Sequence, residues 1–90
     1  MSLNASKFNR GDIVQSKAGH DTDRVYVVAD AGEEFSLAVD GEYRTLKTPK
    51  KKRNKHLRFL SAGELPEKVT DIKIKKIIKD WKAKCPGKTI

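Results

Sequence analysis

Residues 24–46 read RVYVVADAGEEFSLAVDGEYRTL, and this run decides the fold class. Val25, Val27 and Ala29 alternate with Tyr26 and Val28. In extended backbone the two sets lie on opposite faces, so the pattern predicts a strand over Arg24–Asp30. Ala31-Gly32-Glu33-Glu34 makes a turn. In Phe35–Asp40, the residues Phe35, Leu37 and Val39 alternate with Ser36, Ala38 and Asp40, which predicts a second strand with one buried face. Asp40-Gly41 is a two-residue hairpin signal, because glycine tolerates the positive φ of a type I′ turn. The returning strand is then Glu42–Leu46, with Phe35 opposite Leu46 and Leu37 opposite Arg44. An arginine facing a core leucine is awkward, so a longer loop or a bulge stands beside the two-residue turn.

Working outward, Gly11-Asp12 precede Ile13-Val14, a β-branched pair that predicts a first strand ending near Ser16 or Lys17. Ala18–Asp23 is rich in turn formers and reads as an exposed loop. On the other side, Lys47-Thr48-Pro49 ends the hairpin and Lys50–Lys55 follows as a basic loop. His56–Leu60 alternates again, with Leu57 and Phe59 facing one way, and reads as a fifth strand closing the sheet. Ser61–Pro66 is a break. Thr70 is a plausible N-cap, with Asp71 in the first turn where a carboxylate suits the helix dipole. Ile74, Ile77, Ile78 and Trp81 then form one apolar helical face, which makes Trp81 a core residue rather than a stacking platform. Cys85-Pro86-Gly87 stops that helix. The expectation is a mainly β fold: a small SH3-like five-stranded barrel over residues 8–62, behind a flexible stretch 1–7. Residues 63–90 supply a linker and an amphipathic C-terminal α-helix packed on the barrel.

Charge points to the partner. Residues 1–43 carry a net −4, residues 44–58 a net +8 and residues 59–90 a net +4. The middle segment, RTLKTPKKKRNKHLR, contains no acid. Arg44, Lys47, Lys50, Lys51, Lys52, Arg53, Lys55 and Arg58 repel one another unless a polyanion lies alongside, which is the footprint of a phosphate binder. Tyr43 and His56 flank the basic loop and are candidates for stacking on unpaired bases. Lysine point charges read bases poorly, so affinity is expected from phosphate contacts. On this reading, replacing Lys50, Lys51, Lys52 and Arg53 together by alanine weakens RNA binding and leaves the fold intact.

Other classes have less support. The hydrophobic fraction is 37% and no window approaches a membrane span. The opening MSLNASKFNR shows no secretory pattern and the single Cys85 cannot form an internal disulfide, so a cytoplasmic location and an inert thiol are expected. His20, His56 and Cys85 do not make a zinc spacing, and no phosphate-binding glycine motif occurs. Asp21, Asp23, Glu33 and Glu34 read as solvated turn acids. No catalytic residue, metal or cofactor is expected. The alternatives are an SH3-like protein-interaction module, whose acidic half would take a basic partner, and a general nucleic-acid binder that includes DNA.

Gly11-Asp12-Ile13-Val14, Ser16–Asp21 and Val25–Val28 together resemble the KOW motif, a strand–loop–strand unit of ribosomal proteins and transcription elongation factors. Asp40-Gly41, Pro49–Lys52 and Asn54-Lys55-His56-Leu57 extend the likeness. They resemble the KOW-domain large-subunit ribosomal protein of archaea and eukaryotes and, more closely, its short bacterial RNA-binding relatives. The resemblance covers about residues 8–60 and implies a barrel that binds structured, ribosomal RNA. The contacts it implies come from Lys17, Gly19 and His20 in the first loop and from Lys50–His56, Asn54 included. One position departs. Relatives place a glycine at the end of the first loop, where this chain has Asp23. Aspartate tolerates left-handed backbone but brings negative charge, so the basic run is expected to carry the binding.

Overall fold

The computed structural model describes residues 7–84. Strands β1 (Ile13–Ser16), β2 (Val25–Ala31), β3 (Phe35–Val39), β4 (Lys50–Arg53) and β5 (Leu57–Ser61) form one antiparallel sheet in the order β4–β3–β2–β1–β5. A 3₁₀ turn, Asn54–His56, joins β4 to β5, and α1 spans Asp71–Ala83. Residues 85–90 lie outside the described residues, and with them Cys85 and the expected helix stop. Residues 1–6, most of the expected flexible stretch, lie outside as well.

Strand β2 carries apolar residues on both faces because it is covered on both sides. Tyr26 and Val28 join Phe8, Val14, Ala38 and Leu57 in one cluster. Val27 joins Ile13, Val39, Ile74 and Ile78 in the other, with Val25 and Ala29 packed against it. The second cluster is the helix contact. Thr70 caps α1 as the sequence predicts, its side chain accepting from the Lys73 amide. Ile74 and Ile78 are buried, and Ile77 and Trp81 are half-buried against the same cluster. Among the described residues no helix is long and apolar enough to cross a membrane.

Among the described residues no helix covers the first cluster, yet Val14, Val28 and Ala38 are fully buried. The sheet must curl over it. In a flat sheet, β4 and β1, three places apart, would be separated by about 14 Å, beyond the reach of a lysine side chain. Instead Lys52 Nζ of β4 donates to Ser16 Oγ of β1 at 3.0 Å.

Two expectations are corrected by the structure. Glu42–Leu46 is not a strand, and the strand that pairs with β3 is Lys50–Arg53, inside the expected basic loop. Phe35 pairs with Arg53 and Leu37 with Lys51, not with Leu46 and Arg44. The cause is local. The Asp40 carboxylate accepts from the Glu42 and Arg44 amides, both at 2.8 Å, and turns the chain at once. Gly41 has the expected positive φ, of 82°, but a Cβ there would collide with the Asp71 carbonyl and Lys75 of α1. The Leu46 amide then donates to the Asp71 carboxylate at 2.8 Å, so the segment wraps the start of α1 and cannot extend the sheet.

The second correction concerns β3. Ser36 and Ala38 face the enclosed side and are 2% and 0% exposed, whereas on the expected core face Val39 is buried but Phe35 and Leu37 are only half-buried. Inside the curl at this end the small side chains of β3 lie beside Lys52, the register partner of Ser36, and Ser36 Oγ donates to Asn54 Oδ1.

Candidate nucleic-acid interface

Pairing with β3 sets the side-chain directions of KKKR. Lys50 and Lys52 lie opposite Ala38 and Ser36 and share their face. Lys51 and Arg53 lie opposite Leu37 and Phe35 and share the other. The outer pair is exposed, with Lys51 Nζ 4.7 Å and Arg53 Cζ 5.0 Å from the centroid of the Phe35 ring. An aromatic face beneath two cations fixes their stems and leaves their donors outward.

Lys52 does the opposite. It is 8% exposed, and its ammonium donates to Ser16 Oγ, to the Ala18 carbonyl (3.1 Å) and to Asp21 Oδ1 (3.1 Å). An ammonium has three donors, and these partners use all of them. Asp21 is equally committed. Oδ1 also accepts from Ser16 Oγ at 2.9 Å and Oδ2 from the Tyr26 hydroxyl at 2.8 Å. Burial alone would raise the Asp21 carboxyl. The hydrogen bonds from Tyr26, Lys52 and Ser16 and the Lys52 charge outweigh it and hold the pKa at about 2. The same burial, with the bond to Asp21 and its charge, pushes the Tyr26 phenol above its ordinary value. Asp21 is therefore not the solvated turn acid the sequence suggests, and Lys52 is not a free phosphate ligand.

Asn54 is also taken inward. It is 5% exposed, and its amide donates to the Gly32 and Glu33 carbonyls at 2.9 and 3.1 Å while its oxygen faces Ser36. It ties the β2–β3 turn to the 3₁₀ turn. Because Lys52 is internal, the expectation that alanine at all four positions 50–53 spares the fold is corrected: Lys51 and Arg53 are exposed and Lys50 is half-buried, whereas Lys52 is buried with each of its donors paired.

The remaining expected residues fall in three places. His20, Tyr43, Arg44 and Lys50 come together around an open groove of about 280 Å³, with Asp21, Arg24 and Tyr26. Lys51, Arg53 and Lys55 are exposed around β4 and the 3₁₀ turn, and Lys47 is exposed on the segment before them. Lys17 and Gly19 are exposed in the first loop, and Arg58 lies on β5 opposite Gln15. The Lys17 amide donates to the His56 carbonyl at 2.8 Å, so the first loop and the 3₁₀ turn are held side by side. His56 itself is half-buried.

Sequence reading missed Arg24, placed there only as the start of a strand. Its guanidinium lies 4.7 Å from the centroid of Tyr43 and 3.6 Å from Asp40 Oδ2. Behind this pair a second groove, of about 510 Å³, is lined by Asp23, Asp40 and Glu42 and by Lys75, Lys79 and Lys82 of α1. The Tyr43 turn reaches α1 through Gly41 and Leu46, and that long-range contact leaves no periodic trace in the sequence.

Among the described residues the ion pairs are Arg24–Asp40, Lys52–Asp21 and Lys76–Asp80. None of them involves Arg44, Lys47, Lys50, Lys51, Arg53, Lys55 or Arg58. No protein-family model matches the chain, and no curated protein matches it.

Proposed function

We propose that the chain is a non-catalytic RNA-binding protein of the KOW type, a cytoplasmic protein that engages structured, ribosomal RNA through phosphate contacts. One observation carries the reading. Of the eight cations in residues 44–58, Lys52 alone is paired with an acid among the described residues, while Lys51 and Arg53 are held outward over Phe35. Unpaired, positioned cations on one short segment suit a phosphate backbone. The curled antiparallel sheet, the 3₁₀ turn before the last strand and the first loop held against it support an SH3-like barrel of KOW type. The first loop contributes through Lys17 and His20 rather than through Asp21, which is turned inward.

The test is a triple variant, Lys50→Ala/Lys51→Ala/Arg53→Ala, which keeps Lys52. It should retain the parent's circular dichroism and lose at least about tenfold in affinity for ribosomal RNA at moderate salt, with a shallower salt dependence. Unchanged affinity in a folded triple variant would overturn the reading. Duplex DNA competing as well as RNA would move it to a general nucleic-acid binder.

A further inference from the structure

We propose that Tyr43 is the stacking platform for one unpaired RNA base, whose phosphate lies in the groove formed by Arg44, Lys50 and His20. This deepens the phosphate-binding reading and rests on it. Three observations carry the step. Tyr43 is 67% exposed, an aromatic ring left to solvent on a turn that packing does not require it to cover. Arg24 already lies against it at 4.7 Å and is itself anchored by Asp40, so the ring is braced and half of a stack is preassembled. Tyr43 also borders two open grooves of different charge.

The charge difference gives the nucleotide a direction. The smaller groove carries Arg44 and Lys50, with Arg24 already paired with Asp40, and its single acid, Asp21, is already paired with Lys52. A phosphate is stable there. The larger groove sets Asp23 and Glu42, and Asp40 paired with Arg24, among Lys75, Lys79 and Lys82, a mixed environment that suits phosphate less well than the smaller groove. A base carries no net charge and offers exocyclic amino donors, so it suits the mixed side. The nucleotide therefore crosses Tyr43, phosphate toward Lys50 and base toward Glu42. Paired bases in a duplex are not available to stack, so the site selects single-stranded, bulged or loop nucleotides.

The probes are an oligoadenylate single strand and a fully paired RNA duplex of equal length, titrated at one salt concentration. Tyr43→Ala should lose at least about fivefold on the single strand, the lower end of what one stacked base contributes, and bind the duplex as the parent does. Tyr43→Trp should keep the affinity, and its added indole emission, above that of Trp81, should be quenched by oligoadenylate. If Tyr43→Ala binds both probes like the parent, or the Tyr43→Trp emission is unchanged at saturation, stacking is refuted. Weakened binding by Lys50→Ala in that case would leave the phosphate reading standing. Indifference of both probes to Tyr43→Ala and to the Lys50/Lys51/Arg53 triple variant would remove both.

Discussion

The first loop and β4 are the acidic and basic counterparts of this molecule, and each gives one charge to the interior. Asp21 comes from the loop and Lys52 from the strand, and they meet 3.1 Å apart where the sheet curls over its core. Their neighbours stay outside: Asp23 on the loop, Lys51 and Arg53 on the strand. On β4, basic residues one step apart thus serve different ends. The inner pair joins β4 to the β1–β2 loop, and the outer cations pair with no acid among the described residues. What separates the two roles is strand parity, since side chains one residue apart point to opposite faces.

The largest effect should come from breaking the inner pair on one side. Lys52→Ala leaves the Asp21 carboxylate short of a partner and opens space beside Ser16. A loss of about 3 kcal/mol or more in unfolding free energy is expected by urea denaturation, as for other buried pairs broken singly. Lys52→Met combined with Asp21→Asn should cost much less than the sum of the single changes, because both charges go together. If Lys52→Ala were as mild as Lys51→Ala, the distinction between the faces would collapse.

Acid should act on the same pair. The folded Asp21 carboxyl lies at about 2, below its ordinary 3.8, so protonating it opposes folding. Its contribution, about 2 kcal/mol, is whole above about pH 4 and is lost as pH falls through about 2. In Asp21→Asn that part of the acid sensitivity should vanish, which a comparison of denaturation midpoints across this range would measure. A parental slope in the variant would place the acid sensitivity elsewhere.

The outer cations should show the reverse profile. Lys51→Ala and Arg53→Ala should each shift stability by less than about 1 kcal/mol, since exposed charges contribute little to folding. Together they should lower the salt slope of RNA binding by about 1.5, the share of two phosphate contacts. A large loss of stability here would mean that the Phe35 contact, not a partner, is the reason for these residues.

These differences explain what the sequence could and could not reveal. β2 and α1 announce themselves because their apolar spacing matches the strand and helix periods, and Thr70 and Trp81 behave as that spacing implies. β4 has no apolar residue at all. Its strand character comes from β3 on one side and from Asp21 beneath Lys52, a partner thirty-one positions away. Glu42–Leu46 carried the opposite trap: Asp40-Gly41 and the β-formers Tyr43 and Thr45 look like a hairpin arm. The Asp40 carboxylate and the approach of α1 outcompete ladder bonds there. For the site, the charged run was legible as composition, but its division into inner and outer cations was not, and Arg24 reached Tyr43 only through the tertiary fold.

The smallest expected effect returns to the loop. Asp23 is the non-glycine residue with positive φ among those described, at 76°. Its amide donates to the Ser16 carbonyl at 2.8 Å, while the Ser16 amide donates to the Arg24 carbonyl at 2.9 Å. Two residues therefore oppose one, a bulge whose first position ordinarily belongs to glycine. This accounts for the departure noted at this position: the backbone shape is kept, with aspartate bearing the strain. Asp23→Gly should relieve that strain but add freedom to the unfolded chain, for a net gain of about 0.5 kcal/mol. It also removes an exposed acid near Arg24 and Tyr43, so RNA affinity should rise slightly, within about threefold, and more at low salt than at high. A rise in affinity that ignores salt would point to loop geometry instead, and would shift weight from the charges of β4 to the shape of the first loop.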